Sequence, residues 1–246
     1  MEKIDVLDSN YPLMVLLKEK TPGTYSHSRN VASILEAIGT ELGLDVQLLK
    51  IAGFYHDIGK SVSPRFFTEN QTDDDENPHD DLEPWMSHKI ITSHVSDTAQ
   101  ILINDPNIHR DVIEICTQHH GTCIMKFFLK KSRSKNPDNY RYKAQKPQSL
   151  AAALLMICDR IEATSRSLDQ AGKLDDIEAL VERSINELID DEQLDDVEFT
   201  FGKFRQIKKI LKSELAAQFH KRVDYDKEEE DDEVSKDELG HKSNKK

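Results

Sequence analysis

Apolar residues recur every three or four positions along most of this chain, and strict alternation nowhere persists long enough to make a half-buried strand. That periodicity restricts the fold to packed helices, an all-α bundle. The pattern also carries an anomaly. Several inward-facing positions hold histidine or aspartate, which a helical core buries only when something compensates their polarity.

The first helix, PLMVLLKEK, opens with Pro12 and breaks at TPG. A second is predicted from Ser26 to Leu42, with Val31, Ile34, Leu35, Ile38 and Leu42 on one stripe. His27, four residues before Val31, shares that inward face. Asp45 supplies an N-cap for VQLLKIAGFYHDI and Gly59 a stop, which puts His56 and Asp57 in the last turn. The acidic, proline-containing TENQTDDDENPHDDLEP reads as a loop, after which Ser87 caps HKIITSHVSDTAQILI with Ile90, His94, Thr98 and Ile101 in register. RDVIEICTQHHG aligns Ile113, Cys116 and His120 and ends at Gly121. SLAAALLMICDRIEATSRSL brings Ala152, Met156 and Asp159 near one face, and two further amphipathic segments, DDIEALVERSINELI and TFGKFRQIKKILKSELAAQFHKRV, close the domain.

A chain of 246 residues suits one large domain with a tail, here residues 1–223 followed by an acidic disordered segment, 224–246, with ten acids against five lysines. The overall charge of −13 disfavours extended nucleic-acid binding. Against that background Lys126 to Lys146 holds eight basic residues and one acid, which reads either as a solvated loop or as a field that steers a small anion. Cys116, Cys123 and Cys158 lack metal-site spacing and read as reduced, buried thiols of a cytoplasmic protein. The N-terminal MEKIDVLDSNYPLMVLLKEK has an acidic start and a short apolar run, so neither a signal peptide nor a membrane span is expected there.

His27, His56, Asp57, His94, His119, His120 and Asp159 each fall near the inner stripe or inner end of a predicted helix. One histidine on an apolar face is ordinarily a hydrogen-bonded core residue. Seven ionisable groups directed inward imply a bound charge. Imidazole nitrogen and carboxylate oxygen suit first-row cations such as Fe, Mn, Co or Zn better than calcium. Neighbours on a helix diverge by about 100°, so His119 and His120 share a target only near a helix end, which Gly121 provides; the same holds for His56 and Asp57 before Gly59. His79 reads as a loop-stabilising residue, His88 as off its helix's stripe, and His109, His220 and His241 as peripheral.

On the pair His56-Asp57 and its companions the sequence resembles the HD-domain phosphohydrolases. PGTYSHSRNVA, YHDIGK, FFTENQ, ENPHDDL, ITSHV, QHHGT, KPQS and DRIEATSRSL are similar to the catalytic domain of the PgpH family of cyclic di-AMP phosphodiesterases, and the likeness runs from about Asn10 to Tyr225. The resemblance implies an HD-domain helical bundle with a dinuclear metal site, a hydrolase that converts cyclic di-AMP to linear pApA with two divalent transition-metal ions, commonly iron or manganese. It implies that His27, His56, Asp57 and Asp159 hold one ion, that Asp57, His94, His119 and His120 hold the other, and that Asp57 bridges them. Family members usually carry this domain behind an extracellular region and transmembrane helices, so membrane anchoring is expected if the chain belongs to a longer protein.

Lys60, just past the pair, is placed to stabilise charge on phosphoryl oxygens or the leaving group, and Arg166, two helical turns after Asp159, to contact phosphate. Four rival functions differ in signature. Cyclic di-GMP hydrolysis of the HD-GYP type calls for a Gly-Tyr-Pro tripeptide that the sequence lacks; a mononuclear nucleotidase would not need His94, His119 and His120. Intact ligands count against a metal-containing sensor that binds the dinucleotide without turning it over. An HD-type diiron oxygenase shares the ligand chemistry but not FFTENQ and QHHGT.

Overall fold

The structure, a computed structural model, describes residues 4–72 and 76–219. Its helices are α1 (Pro12–Lys20), α2 (Pro22–Leu42), α3 (Val46–Tyr55), α4 (Pro84–Ile103), α5 (Arg110–Gln118), α6 (Lys126–Ser132), α7 (Leu150–Gln170), α8 (Ile177–Asp190) and α9 (201–219). Among the described residues no strand forms, and one antiparallel bridge joins Ile124 to Arg141. The all-α expectation therefore holds. The proposed tail, 224–246, lies outside the described residues, as do His220 and His241.

Helix α7 is the axis of the bundle. From Ala152 to Cys158 every residue is at most 2% exposed, as expected of a helix that is apolar all round. Its start is set by Ser149, whose hydroxyl accepts the amide of Ala152 at 3.1 Å. Helices α2, α3 and α5 pack around it, α8 covers another side, and α4 lies on α5 and on the short 3-10 turn Ile58–Val62. Asp159 thus emerges from a stretch of helix that has no solvent-facing side.

Several local boundaries differ from the sequence expectation. Helix α2 starts at Pro22 rather than Ser26, because proline has no amide to leave unbonded in a first turn. Helix α4 likewise starts at Pro84, so Ser87 is a buried residue within the helix instead of its cap. Helix α3 ends at Tyr55; His56 is its C-cap and Asp57 precedes the 3-10 turn. The basic stretch is a structured layer: α6 and the turn Pro137–Tyr140 bury Phe128, Tyr140 and Tyr142. Cys116 and Cys158 are buried, whereas Cys123 is only half-buried. His88 is also buried, edge-on to Tyr140 with ring centroids 5.3 Å apart.

Gly59 does not end a helix through a left-handed conformation; close packing requires it. A Cβ there would lie 2.1 Å from the His94 carbonyl oxygen and 2.5 Å from the Thr98 nitrogen. The Gly59 amide donates to Thr98 Oγ1 at 2.9 Å, and that hydroxyl donates to the His56 carbonyl at 3.1 Å. The turn carrying Asp57 is thereby held against α4 level with His94. Gly59→Ala is expected to destabilise the protein by about 1–3 kcal/mol through overpacking and to weaken metal uptake, read from the urea midpoint and metal content. An unchanged midpoint would mean that α4 can withdraw there without loss.

Candidate metal centre

Five elements meet at one point: α2 brings His27, the end of α3 His56 and Asp57, α4 His94, the end of α5 His119 and His120, and α7 Asp159. The two oxygens of Asp57 face different groups. Oδ2 lies 3.3 Å from His56 Nε2 and 3.8 Å from His27 Nε2, while Oδ1 lies 3.2 Å from His94 Nε2 and 3.6 Å from His119 Nε2. Asp159 Oδ1 approaches His27 Nε2 at 3.0 Å and His56 Nε2 at 3.6 Å; its Oδ2 is 3.7 Å from His120 Nδ1. Two four-residue sets result, each with donor atoms within 4.8 Å of one another: His27, His56, Asp57 and Asp159, and Asp57, His94, His119 and His120. Asp57 belongs to both.

Backbone and carboxylate acceptors orient the imidazoles. Nδ1 of His56, His94 and His119 each meets the carbonyl three residues earlier, of Gly53, Ile91 and Cys116, at 2.9, 2.6 and 2.5 Å. Nδ1 of His27 meets the carboxylate of Glu162. Hydrogen bonding there fixes Nδ1 as the protonated nitrogen and leaves Nε2 as the inward lone pair, the outer-shell arrangement typical of metal-binding histidines. Nε2 of His56 and Oδ1 of Asp57 are buried without a hydrogen-bond partner among the described residues. Such orphaned atoms are costly unless a cation takes them, and the mixed nitrogen and oxygen donors fit divalent transition metals.

The electrostatics agree. Burial opposes ionisation of Asp57, but Lys60 and His56 outweigh it and hold the carboxyl well below its usual range; His27 and His56 do the same for Asp159. Burial disfavours charged His56, yet Asp57 and Asp159 push its pKa up to about 10. His119 and His120 are shifted downward, chiefly by burial. The paired carboxylates therefore attract positive charge into the core.

Lys60 is not an ordinary exposed lysine. Its ammonium sits 2.7 Å from Asp57 Oδ2 and 2.6 Å from Glu69 Oε1, and 5.1 Å from the centroid of Phe67. Despite burial, those two carboxylates raise its pKa and keep it protonated. Lys60 and Arg166 both line a cavity beside the site, and Arg166 Nε lies 3.7 Å from Glu162 Oε2. His79 braces the loop as expected, with its Nε2 2.8 Å from the Phe66 carbonyl, and His109 is exposed.

Sequence reasoning passed over Glu69, Glu162 and Gln193. Glu162 has a visible signal, since it lies three residues after Asp159 on α7 and so on the same side. Glu69 lies within the family-like FFTENQ, but no local spacing ties it to Lys60, and chain folding alone brings Gln193 near. Gln193 is fully buried and accepts the Thr122 amide at 2.9 Å; Gly121, at φ +48°, would place a Cβ 2.5 Å from the same oxygen. Arg141 adds a bond from Nη1 to the Thr122 carbonyl at 2.8 Å and to Asp191 Oδ1 at 3.0 Å. Together they lock the loop behind His119 and His120.

Residues 24–164 match the family model described as HD domain, so the chain belongs to the HD-domain family. Within it, the chain is 36% identical over 229 residues to the cyclic-di-AMP phosphodiesterase PgpH of Bacillus subtilis (strain 168), covering 92% of this chain and 32% of that protein. It is 35% identical over 226 residues to PgpH of Listeria monocytogenes serotype 1/2a (strain 10403S), covering 90% and 31%. The chain thus spans about a third of the length of these curated relatives. A crystal structure of the L. monocytogenes PgpH HD domain superposes with a TM-score of 0.75 at 35% identity, covering 87% of this chain and 100% of that one. A second, of the same domain in complex with cyclic-di-AMP, gives 0.76 at 35% identity, covering 85% and 97%. No helix among the described residues is long and apolar enough to cross a membrane.

Glu162→Gln keeps the shape but weakens the acceptor for His27 Nδ1. Metal affinity is expected to fall about 10- to 100-fold with little change in helix content, as measured by chelator competition. Unchanged affinity would reduce Glu162 to a packing residue.

Proposed function

We propose that the chain is a metal-dependent phosphodiesterase that hydrolyses cyclic di-AMP to pApA, with two divalent transition-metal ions, iron or manganese, per chain. The observation that carries this reading is the pair of donor sets sharing Asp57, of which His27, His94, His119, His120 and Asp159 line a cavity of about 630 Å³. The likeness to PgpH, and to its HD domain crystallised with cyclic-di-AMP, supports the substrate. The compartment is the cytoplasm, where free thiols such as Cys116 stay reduced; a longer protein of this kind would be anchored in the membrane.

His27, His56, Asp57 and Asp159 would hold one ion, and Asp57, His94, His119 and His120 the other. Bound there, the ions supply Lewis acidity towards phosphoryl oxygens and a water of lowered pKa. Asp57 keeps the two donor sets in register, each carboxylate oxygen facing one of them. Lys60 retains its proton and sets its positive charge beside the reacting phosphate, with Glu69 fixing its direction. Phe67 and Tyr142 wall the cavity; the Tyr142 ring lies 4.2 Å from that of His120 and limits its rotation. Arg166 offers a further cation to phosphate from the far side of Glu162.

The experiment is to load metal-free protein with iron or manganese and supply cyclic di-AMP and cyclic di-GMP in parallel. Faster cleavage of cyclic di-AMP to pApA is expected. Binding without product would assign a sensor, and equal or reversed preference would remove the substrate assignment. Asp57→Ala is expected to lose nearly all bound metal, whereas His94→Ala keeps about one ion per chain and little activity; full activity in His94→Ala would overturn the two-metal reading. Lys60→Ala should retain both ions and lose about 10²- to 10³-fold in kcat, and wild-type turnover would assign Lys60 a structural role.

A further inference from the structure

The metal ligands occupy only part of the cavity. Its floor is one broad face of α7 lined from Met156 to Gln170, about 21 Å of helix at 1.5 Å per residue. That face carries two parallel rows at helical spacing, Asp159, Ala163 and Arg166 in one and Arg160, Thr164 and Ser167 in the other. The first row belongs to the metals. From the second, Arg160 reaches Glu187 of α8, which also holds Lys126 of α6, and Ile124 and Leu188 line the cavity as well.

Here two cations share one anion. Arg160 Nη2 and Lys126 Nζ, the latter at 2.8 Å, both bond to Oε2 of Glu187. The cluster keeps a net positive charge at the cavity edge, and the Arg160 side chain is 30% exposed, within reach of a ligand. Lys60 is already held between Asp57 and Glu69, and Arg166 stands beside Glu162. Arg160 and Lys126 are the cavity cations set apart from the metal ligands' own acidic partners.

A cyclic dinucleotide carries two phosphodiesters in one ring, so when one reaches the metals the other must lie in the same cavity. Resting on the substrate reading above, we infer that Arg160, assisted by Lys126, binds the phosphate that is not being cleaved and selects for substrates with two phosphates. A guanidinium suits this role because its planar donor fork matches two phosphate oxygens. Arg160 is a specificity-determining residue, acting on the substrate away from the reacting atoms.

The test compares cyclic di-AMP with bis(p-nitrophenyl) phosphate, which has a single phosphodiester, in metal-loaded wild type, Arg160→Gln, Arg160→Lys and Glu187→Gln of verified metal content. In Arg160→Gln, kcat/KM for cyclic di-AMP is expected to fall roughly 10- to 100-fold more than for the single diester, mainly through KM. Arg160→Lys should recover part of that loss. Glu187→Gln, which breaks the same ion pairs, should not reproduce the selective defect. Equal losses on both substrates, or Glu187→Gln matching Arg160→Gln, would overturn the role of Arg160 while leaving the phosphodiesterase intact. Wild type that cleaves the single diester but not cyclic di-AMP would overturn the substrate reading, and this role with it.

Discussion

Two carboxylates buried side by side set the terms for everything around them. Asp57 and Asp159 are 1% and 6% exposed, and an isolated charge that deep is unstable by many kcal/mol unless it is paired. The surrounding fold is a response to that constraint. Histidines converge on the pair from α2, α4 and the ends of α3 and α5, and Lys60 covers one oxygen of Asp57 at 2.7 Å. A cation at their centre would complete the compensation, so the same burial that threatens stability favours positive charge there.

Helix ends make this convergence possible. The last carbonyls of a helix have no intrahelical partner, and His56 and His119, the C-caps of α3 and α5, turn Nδ1 towards such carbonyls. One contact thus satisfies a backbone oxygen, selects a tautomer and aims Nε2 inward. His27 lies within α2 and uses Glu162 instead. Loss of ring freedom is met locally at each histidine, which leaves the donor set organised before any ion arrives.

The match to the HD family model ends at residue 164, but the physical site continues beyond it. Gln193 and Asp191 reach back from the turn after α8 to Thr122 and Arg141, and Glu187 of α8 reaches to Arg160 and Lys126. Helix α8 therefore does two jobs: it covers the apolar side of α7 and shapes the second wall of the cavity. A segment that reads from sequence as a plain amphipathic helix, with the turn after it, contributes to both the loop behind His119 and His120 and a wall of the cavity.

The sequence by itself determined every helix but α6, which lies in the basic stretch read as a loop or an anion-steering field, the inward direction of His27, His94 and Asp159, and the helix ends that let His56-Asp57 and His119-His120 turn inward, because periodicity and caps are local properties of the chain. It misplaced the starts of α2 and α4, where a proline accepts a helical first turn, and it took Gly59 for a stop. Only the tertiary structure decided which oxygen of Asp57 faces which histidines, that Glu162 orients His27, that Glu69 clamps Lys60 and that Gln193 locks the loop after His120. Those relations join residues as far as 135 positions apart, and no local pattern encodes a contact made by packing separate helices around α7.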